Sequence, residues 1–199
     1  MPGECEKRLS DNVAPEHLRG GYRPSFQPLQ RSCNIHLIGS FTIAGQTLIG
    51  LLQRVSSASV TVNEKTIASI DQGLLVLVGI EREDTVAQTE RLAERLLNYR
   101  VFEDSEGRMN LDVTQVGGGV LLVPQFTLVA DTRKGNRPSF SSAADPAHGK
   151  TLFDELIAQF KGRWKDVAAG QFGANMAVQL VNQGPVTFWL QVPPNARQH

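Results

Sequence analysis

Ala177-Val178-Gln179-Leu180-Val181-Asn182-Gln183-Gly184-Pro185-Val186-Thr187-Phe188-Trp189-Leu190-Gln191-Val192 is the stretch on which the reading of this chain turns. Val186, Phe188, Leu190 and Val192 alternate with Thr187, Trp189 and Gln191, the two-residue period of a strand with one buried face. A second apolar run, Ala177 to Val181, precedes it. Between the two sits Gly184-Pro185, where a residue free to take positive φ is followed by one with fixed φ and no N–H. Local chemistry therefore predicts two half-buried strands joined at a hairpin tip.

Half-buried strands need partners, and the chain supplies them from Leu48 onward. Leu48-Ile49-Gly50-Leu51-Leu52-Gln53-Arg54-Val55 reads as a buried strand, and Ala58, Val60 and Val62 alternate with Ser59 and Thr61 in the next. Asn63-Glu64-Lys65 predicts a turn into Thr66–Ile70, and Asp71-Gln72-Gly73 another into Leu74–Ile80. The last of these is apolar on both faces, as a central strand is. The expectation is an antiparallel meander. Thr85 and Gln88 fit a capping box ahead of a helix with Leu92, Ala93, Leu96 and Leu97 on one stripe. Asp104-Ser105-Glu106-Gly107 turns the chain towards Met109-Asn110-Leu111. Gly117-Gly118-Gly119 leads into a strand, Val120–Val123, with no Gly-Lys-Ser/Thr behind it, so a phosphate loop is not indicated. Asp145-Pro146 opens a second helix whose buried face is Leu152, Phe153, Leu156, Ile157, Phe160 and Trp164.

Composition narrows the chemistry. With 199 residues, 41% apolar and 20% charged, the chain is an ordinary globule with one domain's worth of core. Twenty basic and twenty acidic residues cancel, which argues against a protein that coats nucleic acid through bulk charge. A local contact with one RNA end stays open, whereas DNA and a membrane are not expected partners. Both cysteines, Cys5 and Cys33, lie in residues 1–47, as do His17 and His36. The rest has only His148 and the final His199, so neither a cysteine or multi-histidine metal site nor a thiolate nucleophile can be built there. No metal or cofactor is expected. Residues 1–47 show no sustained period and are read as a disordered extension, upstream of the fold, without the early apolar core of a secretory signal. Residues 48–192 form the domain, residues 193–199 a frayed tail, and the location expected is cytoplasmic.

Five short motifs, in order, carry a resemblance. They are Leu51-Leu52-Gln53-Arg54-Val55, Gly107-Arg108-Met109-Asn110-Leu111, Gln125-Phe126-Thr127-Leu128, Arg137-Pro138-Ser139-Phe140-Ser141 and Asn182-Gln183-Gly184-Pro185-Val186-Thr187. Over residues 48–192 the chain resembles the bacterial and eukaryotic D-aminoacyl-tRNA deacylases. That resemblance implies an α+β fold, an antiparallel β-barrel-like sheet with flanking helices, assembled as a homodimer with its site at the interface. It implies a cis Gly184–Pro185 bond inserted by one subunit into the other's pocket, where main-chain oxygens would exclude an L side chain and admit a D one. Gln125, Phe126 and Thr127 would line the opposite wall as the catalytic group, with main-chain N–H groups at the ester carbonyl. Arg54, Arg137, Ser139, Phe140, Asn182 and Thr187 would contact or brace the substrate, the acceptor end of an aminoacyl-tRNA. The family usually has serine where this chain has Pro124, and a related animal class has proline; Phe126 and Val186 match the D-aminoacyl family.

The implied reaction is hydrolysis of D-aminoacyl-tRNA, and of glycine mischarged on alanine tRNA, with L substrates rejected. With no basic group apparent beside Thr127, catalysis assisted by the RNA 2′-hydroxyl is favoured over Thr127 as nucleophile. Two alternatives stand beside it: a non-catalytic module that binds the tRNA end, and a small-molecule esterase. Arg54 itself reads either as a brace for the Gly-Pro segment or as a surface arginine at a strand end.

Overall fold

The computed structural model of the chain describes residues 47–194; the readings made above for residues 1–46 and 195–199 lie outside it. Its central strand is β1, Leu48–Val62, which pairs along both edges. One edge takes β2 (Lys65–Ile70) and β3 (Gly73–Gly79). Asn63 and Glu64 make the turn, with φ of 48° and 64°, the left-handed pair a tight two-residue hairpin requires. Ala58 faces Ile70 and Val55 faces Gly73, so three residues pass on each side and the register is unchanged. β2 and β3 are therefore one return arm lying in line along β1. The expected meander is corrected: Asp71-Gln72 interrupts the arm without reversing it, because the register of β1 carries it through.

The other edge of β1 is taken by β8, Ala177–Val192, as a single strand. This corrects the hairpin. Both halves of the stretch run antiparallel to β1, from Leu48↔Val192 at one end to Thr61↔Ala177 at the other. At the middle, Gln53 faces Thr187 but Val55 faces Asn182, so the residues between them on β8 are extruded as a loop. A local Gly-Pro signal cannot distinguish a reversal from such a bulge, since both need the same backbone freedom. The irregularity also separates two burial environments. Val186, Phe188, Leu190 and Val192 pack with Leu48 and Leu52 on the helix side, whereas Val178 and Leu180 join Val55, Ala58 and Val60 in a second core.

The direction of the remaining strands is a further correction. β6 (Gly119–Pro124) runs parallel to β3, and β7 (Val167–Ala169) runs parallel to β6. Each follows a crossover: α1 (Val86–Leu97) with the small pair β4 (Phe102–Glu103) and β5 (Met109–Leu111) before β6, and α2 (Pro146–Lys161) before β7. A connection that carries a helix over the sheet returns the chain in the same direction. The sheet is thus mixed, not wholly antiparallel. β7 also reaches β2, which leaves the sheet barrel-like and nearly closed. With its two helices the fold is α+β.

Both helices form as their sequences dictate. The Gln88 side chain accepts from the Thr85 N–H at 2.9 Å, and the Asp145 carboxylate caps Ala147 and His148 at 3.0 and 3.1 Å. Leu92, Ala93, Leu96, Leu152, Phe153, Leu156 and Phe160 fill the space between helices and sheet. Leu75, Leu121 and Val123 point the other way, so the central strands are buried on both faces, as their unbroken apolar runs predict. Two glycines where β2, β3 and β6 meet have packing reasons: a Cβ on Gly119 would lie 2.9 Å from Ile70 Cγ2. A Cβ on Gly73 would lie 1.9 Å from the Gly119 carbonyl oxygen, so β3 and β6 approach too closely there for any side chain.

Candidate active site

β6 hands the chain to the first half of the site. Pro124 has no N–H, and the ladder is continued by Gln125, whose N–H donates to the Val78 carbonyl at 2.7 Å. A 3-10 turn, Phe126–Val129, follows, with the Leu128 N–H donating to the Gln125 carbonyl at 3.2 Å. The leading N–H groups of such a turn have no partner inside it. Those of Phe126 and Thr127 accordingly have no acceptor within the turn and could donate to an oxygen placed there. The Gln125 side-chain amide donates to Thr127 Oγ1. A primary amide nitrogen cannot accept a proton, so the partner of this hydroxyl does not activate it.

Beside the turn lies a cavity of about 440 Å³, walled by Pro124, Phe126, Ala144, Pro146, Phe172 and Met176 among others. Its lining is mostly apolar, suited to a flat ring or a hydrocarbon surface. Phe126 is 63% exposed at its lip and meets Phe140 with ring centroids 5.1 Å apart. Phe140 follows Ser139, whose N–H and carbonyl pair with Asp131 to close the loop carrying Arg137. Gln125, Phe126, Thr127, Arg137, Ser139 and Phe140 thus belong to one neighbourhood.

A second neighbourhood forms at the bulge in β8. Asn182 clamps its base: its Oδ1 accepts from the Val186 N–H at 2.8 Å, and its Nδ2 donates to the Val186 carbonyl at 3.3 Å and to Thr187 Oγ1 at 3.0 Å. Arg54 is buried, 6% exposed, which overturns the surface-arginine reading. Its Nε donates to the Gln183 carbonyl at 3.0 Å and its Nη1 to the Val101 carbonyl at 2.6 Å, with Glu103 3.6 Å away. Gly184, at φ 129°, and cis Pro185 stand at the crest. A Cβ on Gly184 would lie 2.8 Å from Val186 Cγ2 and 2.9 Å from Arg54 Nη2.

These two groups are not brought together within one chain. Gly50 and Arg54 on β1 face Val78 and Leu74 on β3. Gln125 is anchored at Val78, so the groups lie four residues apart along the strands, about 13 Å at the usual strand rise. Sequence reasoning did not single out the partners of Arg54 at Gln183 and Val101, which are backbone oxygens and leave no trace in residue type.

Asp84 was missed as well. It is 2% exposed, and its carboxylate accepts from the Glu81 N–H and from Gln88 Nε2, each at 2.7 Å. His148, the histidine of the described residues, is bonded through Nε2 to the Asp84 carbonyl at 3.0 Å. This turn supports the cavity wall, because the Ile80 carbonyl accepts from the Ala144 N–H at 3.1 Å. Burial, the largest influence, raises the Asp84 carboxyl from its ordinary 3.8 to about 6. Between those values the folded chain holds a proton that the unfolded chain releases, so this group's stabilisation is full at low pH and is lost as pH rises through about 6. Asp84→Asn lacks this titration. The unfolding midpoint of wild type minus that of the variant is expected to rise as pH is lowered from 7 to 4, and parallel thermal melts showing a constant difference would contradict it.

Comparison with known proteins gives a consistent result. The family described as D-Tyr-tRNA(Tyr) deacylase matches residues 51–191. The D-aminoacyl-tRNA deacylase of Thioalkalivibrio sulfidiphilus (strain HL-EbGR7) is 58% identical over 147 residues, 74% of this chain and 99% of that protein. The D-aminoacyl-tRNA deacylase of Pseudomonas putida (strain W619) is 61% identical over 143 residues, 72% of this chain and 99% of that one. Among solved structures, a c-Myc DNA unwinding element binding protein is 36% identical with a TM-score of 0.70, covering 73% of this chain and 99% of its own. A probable eukaryotic D-amino acid tRNA deacylase, at 18% identity and a TM-score of 0.64, shares the fold over 73% of this chain and 100% of its own.

Proposed function

The chain belongs to the D-Tyr-tRNA(Tyr) deacylase family and is a hydrolase of D-aminoacyl-tRNA; from that premise we propose how its residues divide the work and that it also clears glycyl-tRNA mischarged on alanine tRNA. The terminal nucleotide enters the cavity beside Phe126, and the ester carbonyl meets the N–H groups of Phe126 and Thr127. Water adds to that carbonyl, the oxyanion is held by the two donors, and the RNA 3′-oxygen departs with a proton as the acyl bond breaks. One such donor is typically worth about 10²–10³ in rate. The neighbouring 2′-hydroxyl of the RNA assists the water. The observation that carries this reading is the pairing of Thr127 Oγ1 with an amide that cannot serve as its base. Such a site polarises and positions; it does not attack.

Chiral rejection is assigned to Gly184 and Pro185 of a second copy. Main-chain oxygens at the crest of the loop would meet an L side chain at the α-carbon, while hydrogen or a D side chain points away. A second copy is called for because one chain keeps the loop and the cavity apart. Exposed apolar side chains on β8, Val181 at 57% and Trp189 at 49%, support a homodimer. Among the described residues no helix is long and apolar enough to cross a membrane.

Matched D-tyrosyl-, L-tyrosyl- and glycyl-tRNA test the scheme. Release from the D and glycyl forms with the L form spared is expected; equal loss of D and L would remove the filter. Thr127→Ala is expected to retain turnover within a few fold, while a substrate ending in 2′-deoxyadenosine is expected to be nearly inert. Loss of turnover in the alanine variant alongside normal cleavage of the deoxy substrate would reverse the two roles.

A further inference from the structure

We propose that the loop Asp131–Ser139 makes a second contact with the RNA, holding backbone phosphates of the nucleotides that precede the terminal adenosine. This rests on the reading of the cavity as the site for the acceptor end. The loop is closed at its base by Asp131 and Ser139, with N–H to carbonyl distances of 2.8 and 3.0 Å, and Gly135, at φ 66°, allows the tight bend of its tip. Three cations, Arg133, Lys134 and Arg137, fall within five residues of a chain whose charges balance overall.

The three are not equivalent. Arg133 is engaged by Asp131 through Nε at 2.8 Å and Nη2 at 2.7 Å, and the same carboxylate accepts the Arg133 N–H at 3.0 Å. This pair cancels its own charge and fixes the loop's first turn. Lys134 and Arg137 have no carboxylate partner among the described residues, and both are exposed. Two uncancelled charges are therefore presented from a braced loop. Arg137 is two residues from Ser139, within about 7 Å of extended chain, and Phe140 beyond it meets Phe126 at the cavity lip with the two rings tilted by 51°.

A nucleic-acid strand whose end lies in the cavity must pass this lip. Guanidinium matches phosphate oxygens with two parallel bonds, ammonium supplies a mobile point charge, and exposed aromatic rings offer a face to a base. That combination fits a single-stranded polyanion better than an acidic peptide, which has no flat ring repeating along it. Neutral overall charge is no obstacle, because two local contacts suffice to set register on an RNA whose affinity is not carried by bulk attraction.

The experiment compares D-tyrosyl-tRNA with 3′-O-(D-tyrosyl)adenosine, which lacks every preceding phosphate. Wild type and the Lys134→Ala/Arg137→Ala double variant are assayed on both across a range of salt. The preference for tRNA over the short substrate, as a ratio of kcat/KM, is expected to fall about 10–100-fold in the variant. The slope of log kcat/KM for tRNA against log salt is expected to become shallower by roughly 1 to 2. An unchanged ratio, whether both substrates are lost equally or neither is affected, would overturn the phosphate contact. Wild type inactive on both substrates would overturn the parent reading and this one with it.

Discussion

Gly184→Ala is expected to reduce D-aminoacyl-tRNA turnover by about a hundredfold or more while leaving the chain folded. The added methyl would sit 2.8 Å from Val186 Cγ2 and 2.9 Å from the Arg54 guanidinium, in a backbone conformation at φ 129° that side-chain-bearing residues rarely adopt. Neither neighbour can yield cheaply. Val186 has a branched side chain and its N–H is held by Asn182, and Arg54 is fixed by two carbonyls. The crest must therefore move, and a shift of about 1 Å in a positioning element costs on the order of 10² in rate. The loop is extruded from the sheet, so its displacement leaves the ladder between β1 and β8 in place on either side. Gln183→Ala serves as the control, since only its backbone oxygen is used and turnover should persist. Kinetics on both variants with a circular dichroism melt decide the matter; an active Gly184→Ala protein would mean that the crest does not approach the substrate.

Arg54→Lys is expected to be nearly as damaging, by another route. Two buried or half-buried carbonyls, of Gln183 and Val101, share one guanidinium at 3.0 and 2.6 Å. A lysine ammonium is a single point and cannot occupy both ends of that fork. One carbonyl is left unsatisfied, at about 1–3 kcal/mol, and the β8 loop loses its tie to the segment before β4. A lower urea midpoint together with a tenfold or greater fall in turnover is the expected pattern. A variant with normal stability and normal activity would show that the brace is dispensable. Because the interaction is with backbone oxygens, no compensating side-chain change elsewhere is expected to restore it.

Much of this architecture is legible in residue types, and its failures have a common cause. The helices were readable because capping is local: Thr85 with Gln88, and Asp145 with its own first turn. The burial of Leu74–Ile80 on both faces was readable because it needs no knowledge of partners. Strand direction was not. Nothing in Val120–Val123 reveals that it runs parallel to β3, since that follows from the helices that carry the chain across the sheet. The three-residue β7 is too short to show any period. At Gly184-Pro185 the local signal was sound but ambiguous, and only the pairing of both flanks with β1 turns the hairpin into a bulge. In the candidate site, family resemblance named the side chains, while the bonds that hold them run largely to main-chain atoms. Arg54 is the clearest case, a charged residue whose burial becomes intelligible only when its two carbonyl partners are in view.

The two edges of β1 differ in how far along the chain their partners lie. Its return arm begins just past the Asn63-Glu64 turn, so that hairpin can close quickly and alone. β8 instead joins Leu48 to Val192 and Thr61 to Ala177, and must wait for everything between to be gathered in. Closing so long a span costs chain entropy that the hairpin does not incur. On that cost alone, assembly is expected to run from the hairpin outward to β8, with the Gly184 crest and its guanidinium anchor formed late. On that expectation, the part of the molecule assigned to judging substrate handedness would also be the part whose appearance reports that folding is complete.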